Sequence, residues 1–273
     1  MEEGAQRTIA APARLRGIGL HTGRPVEMTL RPAPEGTGIV FRREGGPAIP
    51  AALEAVTGTA HCVTLGGPEG VHTVEHLLSA AWGIGVDNLD VELSDAEVPG
   101  MDGSALPFVR ALRAAGLRAQ ASPRRVLQVR EPVWVGRDGA WAVALPAAAF
   151  RAACIVTLEA PGPGDQAATY DPLRDSYEET IAPARTWGYE RDVEALRARG
   201  LALGASLDNT LVVGGSGFVN RPRFANEPAR HKLLDVLGDL ALLGRAIRGA
   251  IIAVRAGHAL HVALARALSE QEG

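Results

Sequence analysis

Along the first third of the chain, Val26, Met28 and Leu30 alternate with Glu27 and Thr29, the period of a strand with one face buried. A turn-rich stretch from Arg31 to Gly38 follows, and Ile39-Val40-Phe41 then returns as a second strand, so the pair predicts a hairpin. The period changes at Thr73: Val74, Leu77, Leu78 and Ala81 fall on one helical stripe, with Gly83 and Gly85 as stop signals. Asn88 to Leu93 alternates as a strand, and a short helix is predicted from Pro107 to Ala115, ending at Gly116.

The chain turns polar between Leu117 and Arg125 and carries Ser122-Pro123 there, which predicts a boundary between units 1–120 and 121–273. Beyond it, Val126 to Val129, Val133-Trp134-Val135 and Trp141 to Leu145 read as strands, whereas the Ala/Pro/Gly-rich stretch Pro146 to Pro172 offers no residue to assign. An exposed helix is expected over Asp192 to Arg199, closed by Gly200. The strongest helical pattern runs from Pro228 to Leu243, with Leu233, Val236, Leu237, Leu240 and Leu243 at helical spacing and Gly244 as its stop. Ile251 to Val254 is a buried strand, and a last helix covers His258 to Leu268. Both halves therefore open with strands and later place a histidine-bearing helix, a glycine stop and an apolar strand. This predicts an α+β protein made of two similar two-layer α+β units facing each other.

Composition narrows the partners. Of 273 residues, 47% are hydrophobic and 22% charged, enough apolar surface for a core. With 28 basic and 31 acidic side chains the formal charge is −3, so nucleic acid is excluded as a main partner. No apolar run reaches the length of a membrane span, since Arg245, Arg248 and Arg255 interrupt the most apolar stretch. Met1-Glu2-Glu3-Gly4 is acidic where a signal peptide is basic, and Cys62 and Cys154 are too few for a disulfide framework. The expectation is a monomer in the cytoplasm. Among 27 arginines stands a single lysine, Lys232, directly after His231. A compact ammonium and a planar fork differ in size and hydration, so a site can require one and reject the other.

The chemistry concentrates in two helices. His231-Lys232-Leu233-Leu234-Asp235 sets an imidazole and a carboxylate four residues apart, one turn up the same face, where both can bind one metal ion. Asp239 follows four residues later. In the first half, His72-Thr73-Val74-Glu75-His76 has the H-x-x-E-H order of inverted zinc peptidases. Two readings compete: a peptidase with His72 and His76 as ligands, or a split site in which His76, His231 and Asp235 hold the metal. Charge favours the split site, because two histidines and one carboxylate leave a zinc ion one open position, with Glu75 beside a ligand as general base. Ferrous iron is the alternative ion for the same ligand set. His258, paired with a carboxylate such as Asp239, would be a cation able to protonate a leaving amine. His261 has no evident partner. Gly214-Gly215-Ser216-Gly217 lacks the setting of a nucleophile elbow.

Taken in order, these segments resemble the UDP-3-O-acyl-N-acetylglucosamine deacetylases, the zinc amidases of lipid A biosynthesis. The likeness rests on Gly17-Ile18-Gly19-Leu20-His21-Thr22-Gly23, Leu30-Arg31-Pro32-Ala33-Pro34 and Thr73-Val74-Glu75-His76-Leu77-Leu78-Ser79-Ala80. It continues through Glu97-Val98-Pro99, Met101-Asp102-Gly103-Ser104-Ala105, Ala184-Arg185-Thr186 and Ser206-Leu207-Asp208-Asn209. Arg230-His231-Lys232-Leu233-Leu234-Asp235 and Gly257-His258-Ala259-Leu260 complete it.

The resemblance implies helices sandwiched between two facing sheets and zinc on His76, His231 and Asp235, with Glu75 as base. It implies His258, oriented by Asp239, as acid or oxyanion stabiliser, with Thr186 and Lys232 assisting at the carbonyl oxygen or substrate. The substrate implied is an acylated UDP-sugar that loses its 2-acetyl group. Residues 191–213 resemble the insert that forms the acyl groove, and Asp192 matches a substrate-contact position. Trp187 stands where phenylalanine is usual, against the uridine diphosphate portion, and the stretch from Phe218 to Phe224 is shorter than the family's hairpin.

Overall fold

The computed structural model describes residues 4–159 and 164–272; the acidic start at 1–3 lies outside them. A five-stranded sheet in the first half contains β1 (Ala13–Ile18), β2 (Pro25–Pro32), β3 (Ile39–Arg43), β4 (Ala48–Pro50) and β5 (Leu89–Leu93). The helices of this half are α1 (Glu75–Ile84) and α2 (Leu106–Ala114). The second half repeats the plan with β6 (Val133–Arg137), β7 (Ala140–Leu145), β8 (Arg151–Thr157), β9 (Asp165–Tyr170) and, after α3 (Glu227–Leu240), β10 (Ala250–Val254) and α4 (His258–Ser269).

Strand order is β1-β2-β5-β3-β4 in one sheet and β6-β7-β10-β8-β9 in the other. The senses match as well: β5 and β3 run parallel, as do β10 and β8, and every other neighbour is antiparallel. Each half also crosses to its central strand through one helix (α1 or α3) and adds a second afterwards. Two units of one topology face each other, which is the α+β architecture expected.

Both crossing helices are buried nearly all round. Of the ten residues of α1 only Trp82 is not buried, and α3 buries every residue but Arg230 and Lys232. A helix apolar on most of its faces must be covered on most of them. Here α1 packs chiefly on α3, while α3 also lies on β8 and β9. Gly238 makes the helix contact close, for a Cβ there would collide with the backbone of Glu75. Among the described residues no helix is long and apolar enough to cross a membrane.

Several expectations are corrected. Strands β2 and β3 do not form a hairpin, because β5 lies between them and pairs with both. The polar segment 117–125, expected to hold the boundary, contains a strand, Leu117–Pro123, antiparallel to Ala5–Ile9. The stretch Pro146 to Pro172, for which the sequence offered no residue to assign, holds two sheet strands, β8 and β9; residues 160–163 lie outside the described residues. Gly83 does not stop α1; it is inside the helix, where the ring of Tyr177 takes the space of a side chain. The stop is Gly85, left-handed at φ 74°, whose N–H closes on the Ala81 and Trp82 carbonyls.

Candidate active site

Helix α1 begins later than its periodicity suggested, and the delay matters. Thr73 adopts φ 60°, so the chain turns sharply and α-helical residues start at Glu75. His72 is consequently not on the helix at all. It belongs to the two-residue strand Val71–His72, and its Nδ1 meets the Thr73 hydroxyl at 3.4 Å. Four-residue spacing brings two side chains together only when both residues are helical, so the peptidase reading of His72-x-x-Glu75-His76 loses its geometric basis.

His76 instead meets α3. Its Nε2 lies 3.9 Å from Asp235 Oδ1, and His231 Nε2 lies 3.4 Å from the same oxygen. One donor atom from each of His76, His231 and Asp235 falls within 4.8 Å of the others, all buried. Donors around a tetrahedral zinc ion, at roughly 2.0 to 2.1 Å from it, stand about 3.3 Å apart, so this cluster suits such an ion. Supporting contacts point the same way. His231 Nδ1 is 3.1 Å from the Ala184 carbonyl, so with its proton there Nε2 is free to ligate. Lys232 Nζ donates to Asp235 Oδ2 at 2.8 Å, which leaves Oδ1 toward the imidazoles.

Charge states fit ligation. Burial and the neighbouring His231 push the His76 imidazole down to about 3, and burial lowers His231 as well, so both stay neutral. Burial works against the Asp235 charge, but Lys232 and His231 overcome it and hold the carboxyl well below the usual carboxylate range. The lone lysine thus sits on the carboxylate of this cluster.

Glu75, at the first turn of α1, is buried and accepts the Val63 N–H on Oε2 at 3.2 Å. Burial raises its carboxyl to about 7, against the opposing pull of His258. His258, at the start of α4, places Nδ1 2.8 Å from Asp239 Oδ2. Burial disfavours its charge, yet Asp239 raises the imidazole to about 9. His261 has a partner after all: its Nδ1 is 2.7 Å from that same Asp239 oxygen. Asp239, His258 and His261 also fall within reach of one another as a donor cluster. Nitrogen-to-oxygen separations of 2.7 and 2.8 Å are hydrogen bonds, shorter than two donors on one ion keep.

Glu75, His76, His231, Lys232, Asp235 and His258 line a cavity of about 1050 Å³, walled by both halves. Thr186 and Trp187 line it too, Trp187 standing edge-on to Tyr189 at 5.7 Å between ring centroids. Val193, Leu196, Leu207, Val212 and Val219 supply an apolar wall. Residues 191–213 run from a single turn (Glu190–Asp192) through the helix Val193–Ala198 and a segment of turns at 199–210 to the strand Leu211–Gly214. Asp192 is not part of the wall. Its carboxylate is half exposed and 3.9 Å from the Arg191 guanidinium, since the turn it closes points it outward. The stretch Gly214 to Gly217 is the connection of a small hairpin ending at Phe218.

Two supports had no role assigned from sequence. Glu97 is buried and accepts the backbone N–H groups of His21 and Thr22, both at 2.8 Å, and the hydroxyls of Thr22 and Thr73. It ties the Gly19–Gly23 turn to the residue that delays α1. Glu227 and Arg185 form a buried pair at 2.9 Å, and Glu227 also accepts the Arg185 N–H. That fixes the backbone on which the Ala184 carbonyl and Thr186 sit. Acids among apolar neighbours, such as Glu97 before Val98-Pro99 and Glu227 before Pro228-Ala229, were the available signal.

The fold and site together define a hydrolase class: paired α+β units sharing a His-His-Asp centre, with an acid beside one ligand, in an apolar-walled cavity. The chain belongs to the UDP-3-O-acyl N-acetylglycosamine deacetylase (LpxC) family, whose model matches residues 6–270. It is 43% identical over 271 residues to the UDP-3-O-acyl-N-acetylglucosamine deacetylase of Thermosynechococcus vestitus, covering 97% of this chain and 94% of that one. The deacetylase of the same name from Thioalkalivibrio sulfidiphilus is 43% identical, covering 98% and 90%, and that of Myxococcus xanthus 44%, covering 96% and 85%.

Proposed function

We propose that the protein hydrolyses the 2-acetamido group of UDP-3-O-(3-hydroxyacyl)-N-acetylglucosamine, releasing acetate and a free amine at the committed step of lipid A biosynthesis. The observation that carries this reading is the meeting of Glu75 and His76 with His231, Asp235 and His258 in one cavity that also has an apolar wall.

His76, His231 and Asp235 would hold the metal, zinc or alternatively ferrous iron. When bound, the ion supplies Lewis acidity toward the amide carbonyl and toward water. Glu75, ionised, takes the proton from the attacking water. Negative charge then grows on the carbonyl oxygen, where the Thr186 hydroxyl and the Lys232 ammonium are at hand. The leaving nitrogen needs a proton, and His258 is the cation placed to give one.

Val193, Leu196, Leu207 and Val212 would take the acyl chain with Val219 beside them, making 191–213 the acyl insert, while Trp187 packs on the nucleotide side. Asp192, turned outward, is left without a role in this scheme. The repeated topology supports two units divided near 1–120 and 121–273, with the strand Leu117–Pro123 straddling the division. One chain supplies every group of the site, which suits a monomer, and two buried free thiols, Cys62 and Cys154, suit the cytoplasm.

The direct test is acetate release from the acylated UDP-sugar with and without a chelator, followed by zinc or iron add-back. Loss on chelation and recovery with metal is the expected result. Hydrolysis indifferent to chelation would overturn the metal assignment, and no acetate release by the metal-loaded protein would overturn the reaction.

A further inference from the structure

We propose that His261 is a positioning residue for His258, acting through Asp239; this rests on the reading of His258 as proton donor given above. Asp239 is completely buried, and its Oδ2 receives both imidazole Nδ1 atoms, from His258 at 2.8 Å and from His261 at 2.7 Å. The two histidines are three residues apart on α4, with ring centroids 6.1 Å apart and planes at 80°. Neither Asp239 Oδ1 nor His261 Nε2 has a hydrogen-bond partner among the described residues. The bond to Asp239 is therefore the single side-chain hydrogen bond of His261, which is itself buried.

Packing alone does not ask for a histidine there. A buried imidazole with an unpaired nitrogen is unfavourable, and an aliphatic residue would fill much of the same space without that penalty. What the imidazole adds is a second donor on one carboxylate oxygen. With a single donor the carboxylate can rotate and offer either oxygen. With two donors from one turn of a rigid helix, both lone pairs of Oδ2 are taken and its plane is set. His258 is then held with its proton on Nδ1 and its Nε2 directed away from Asp239, and His258 lines the cavity.

The test compares His261→Leu with His261→Asn, whose amide nitrogen can donate from near the imidazole Nδ1 position. In acetate-release kinetics, His261→Leu is expected to lower kcat about 10-fold, the lower end for loss of such an outer hydrogen bond, with KM nearly unchanged. His261→Asn should recover most of that loss. Nitrogen-15 NMR of the histidine side chains supplies a readout independent of turnover. The wild-type protein should show a downfield Nδ1–H proton for each of His258 and His261, and His261→Asn should lose the second while the His258 signal keeps its place.

Three results would overturn the proposal: full kcat in His261→Leu, equal loss in both variants, or a wild-type His261 protonated only on Nε2. Should the leucine variant fail to fold, the wild-type tautomer and the asparagine variant decide. A wild-type protein that releases no acetate refutes the deacetylase reading, and the NMR result then judges the Asp239 bonding by itself.

Discussion

Gly238 of α3 packs directly on the carbonyl of Glu75 in α1, closer than any side chain would allow. This contact lets two helices from different halves approach until His76 and Asp235 share one cluster. A methyl at Gly238 must push the helices apart. Gly238→Ala is expected to destabilise the fold by about 1 to 3 kcal/mol, the usual range for overpacking. It should weaken zinc binding as well, because the ligands separate. Thermal unfolding and zinc titration check both, and unchanged metal affinity would mean the helix spacing does not set the site.

Glu75→Gln keeps the shape of the side chain and removes its ability to take a proton. Turnover should fall by roughly 10² to 10⁴, the span of general acid–base contributions. Bound zinc should stay at the wild-type level, since Glu75 is not a ligand in this scheme. Metal analysis alongside kinetics separates the two effects.

The pH dependence has a definite sign. Glu75 must be ionised to act as base, and burial raises its carboxyl to about 7, so kcat/KM should fall as pH drops below that value. His258 must be protonated to act as acid; burial opposes its charge but Asp239 lifts it to about 9, so activity should fall again above it. A bell between these limits is expected. A profile that keeps rising past the upper limit would remove His258 from the acid role.

His72→Ala and His231→Ala separate the two metal readings. His72 lies in the strand before α1, so its loss should leave zinc content near wild type. His231 is a ligand in the split site, and its loss should strip the metal. The reverse pattern would revive the peptidase arrangement.

Much of this was legible along the chain. Helix α3 repeats its leucines at helical spacing, and that spacing alone put His231 and Asp235 on one face. Local pattern failed where backbone geometry overrode it. The stripe through Val74 pointed to a helix from Thr73, but the positive φ at Thr73 moved the start to Glu75 and took His72 off the helix. The stretch Pro146 to Pro172, dominated by alanine, proline and glycine, offered no residue to assign. Its residues nevertheless form β8 and β9, where pairing with β10 outweighs weak strand propensity.

The amino-acid order determined which residues are apolar, where helices can run and which imidazoles and carboxylates share a turn, because those properties depend on neighbours a few positions away. Only the tertiary structure decided that β5 lies between β2 and β3, that Asp192 turns outward, and that His261 joins His258 on one oxygen of Asp239. Contacts between residues far apart in the chain are set by how whole helices and sheets fit together. Local periodicity carries no information about that fit.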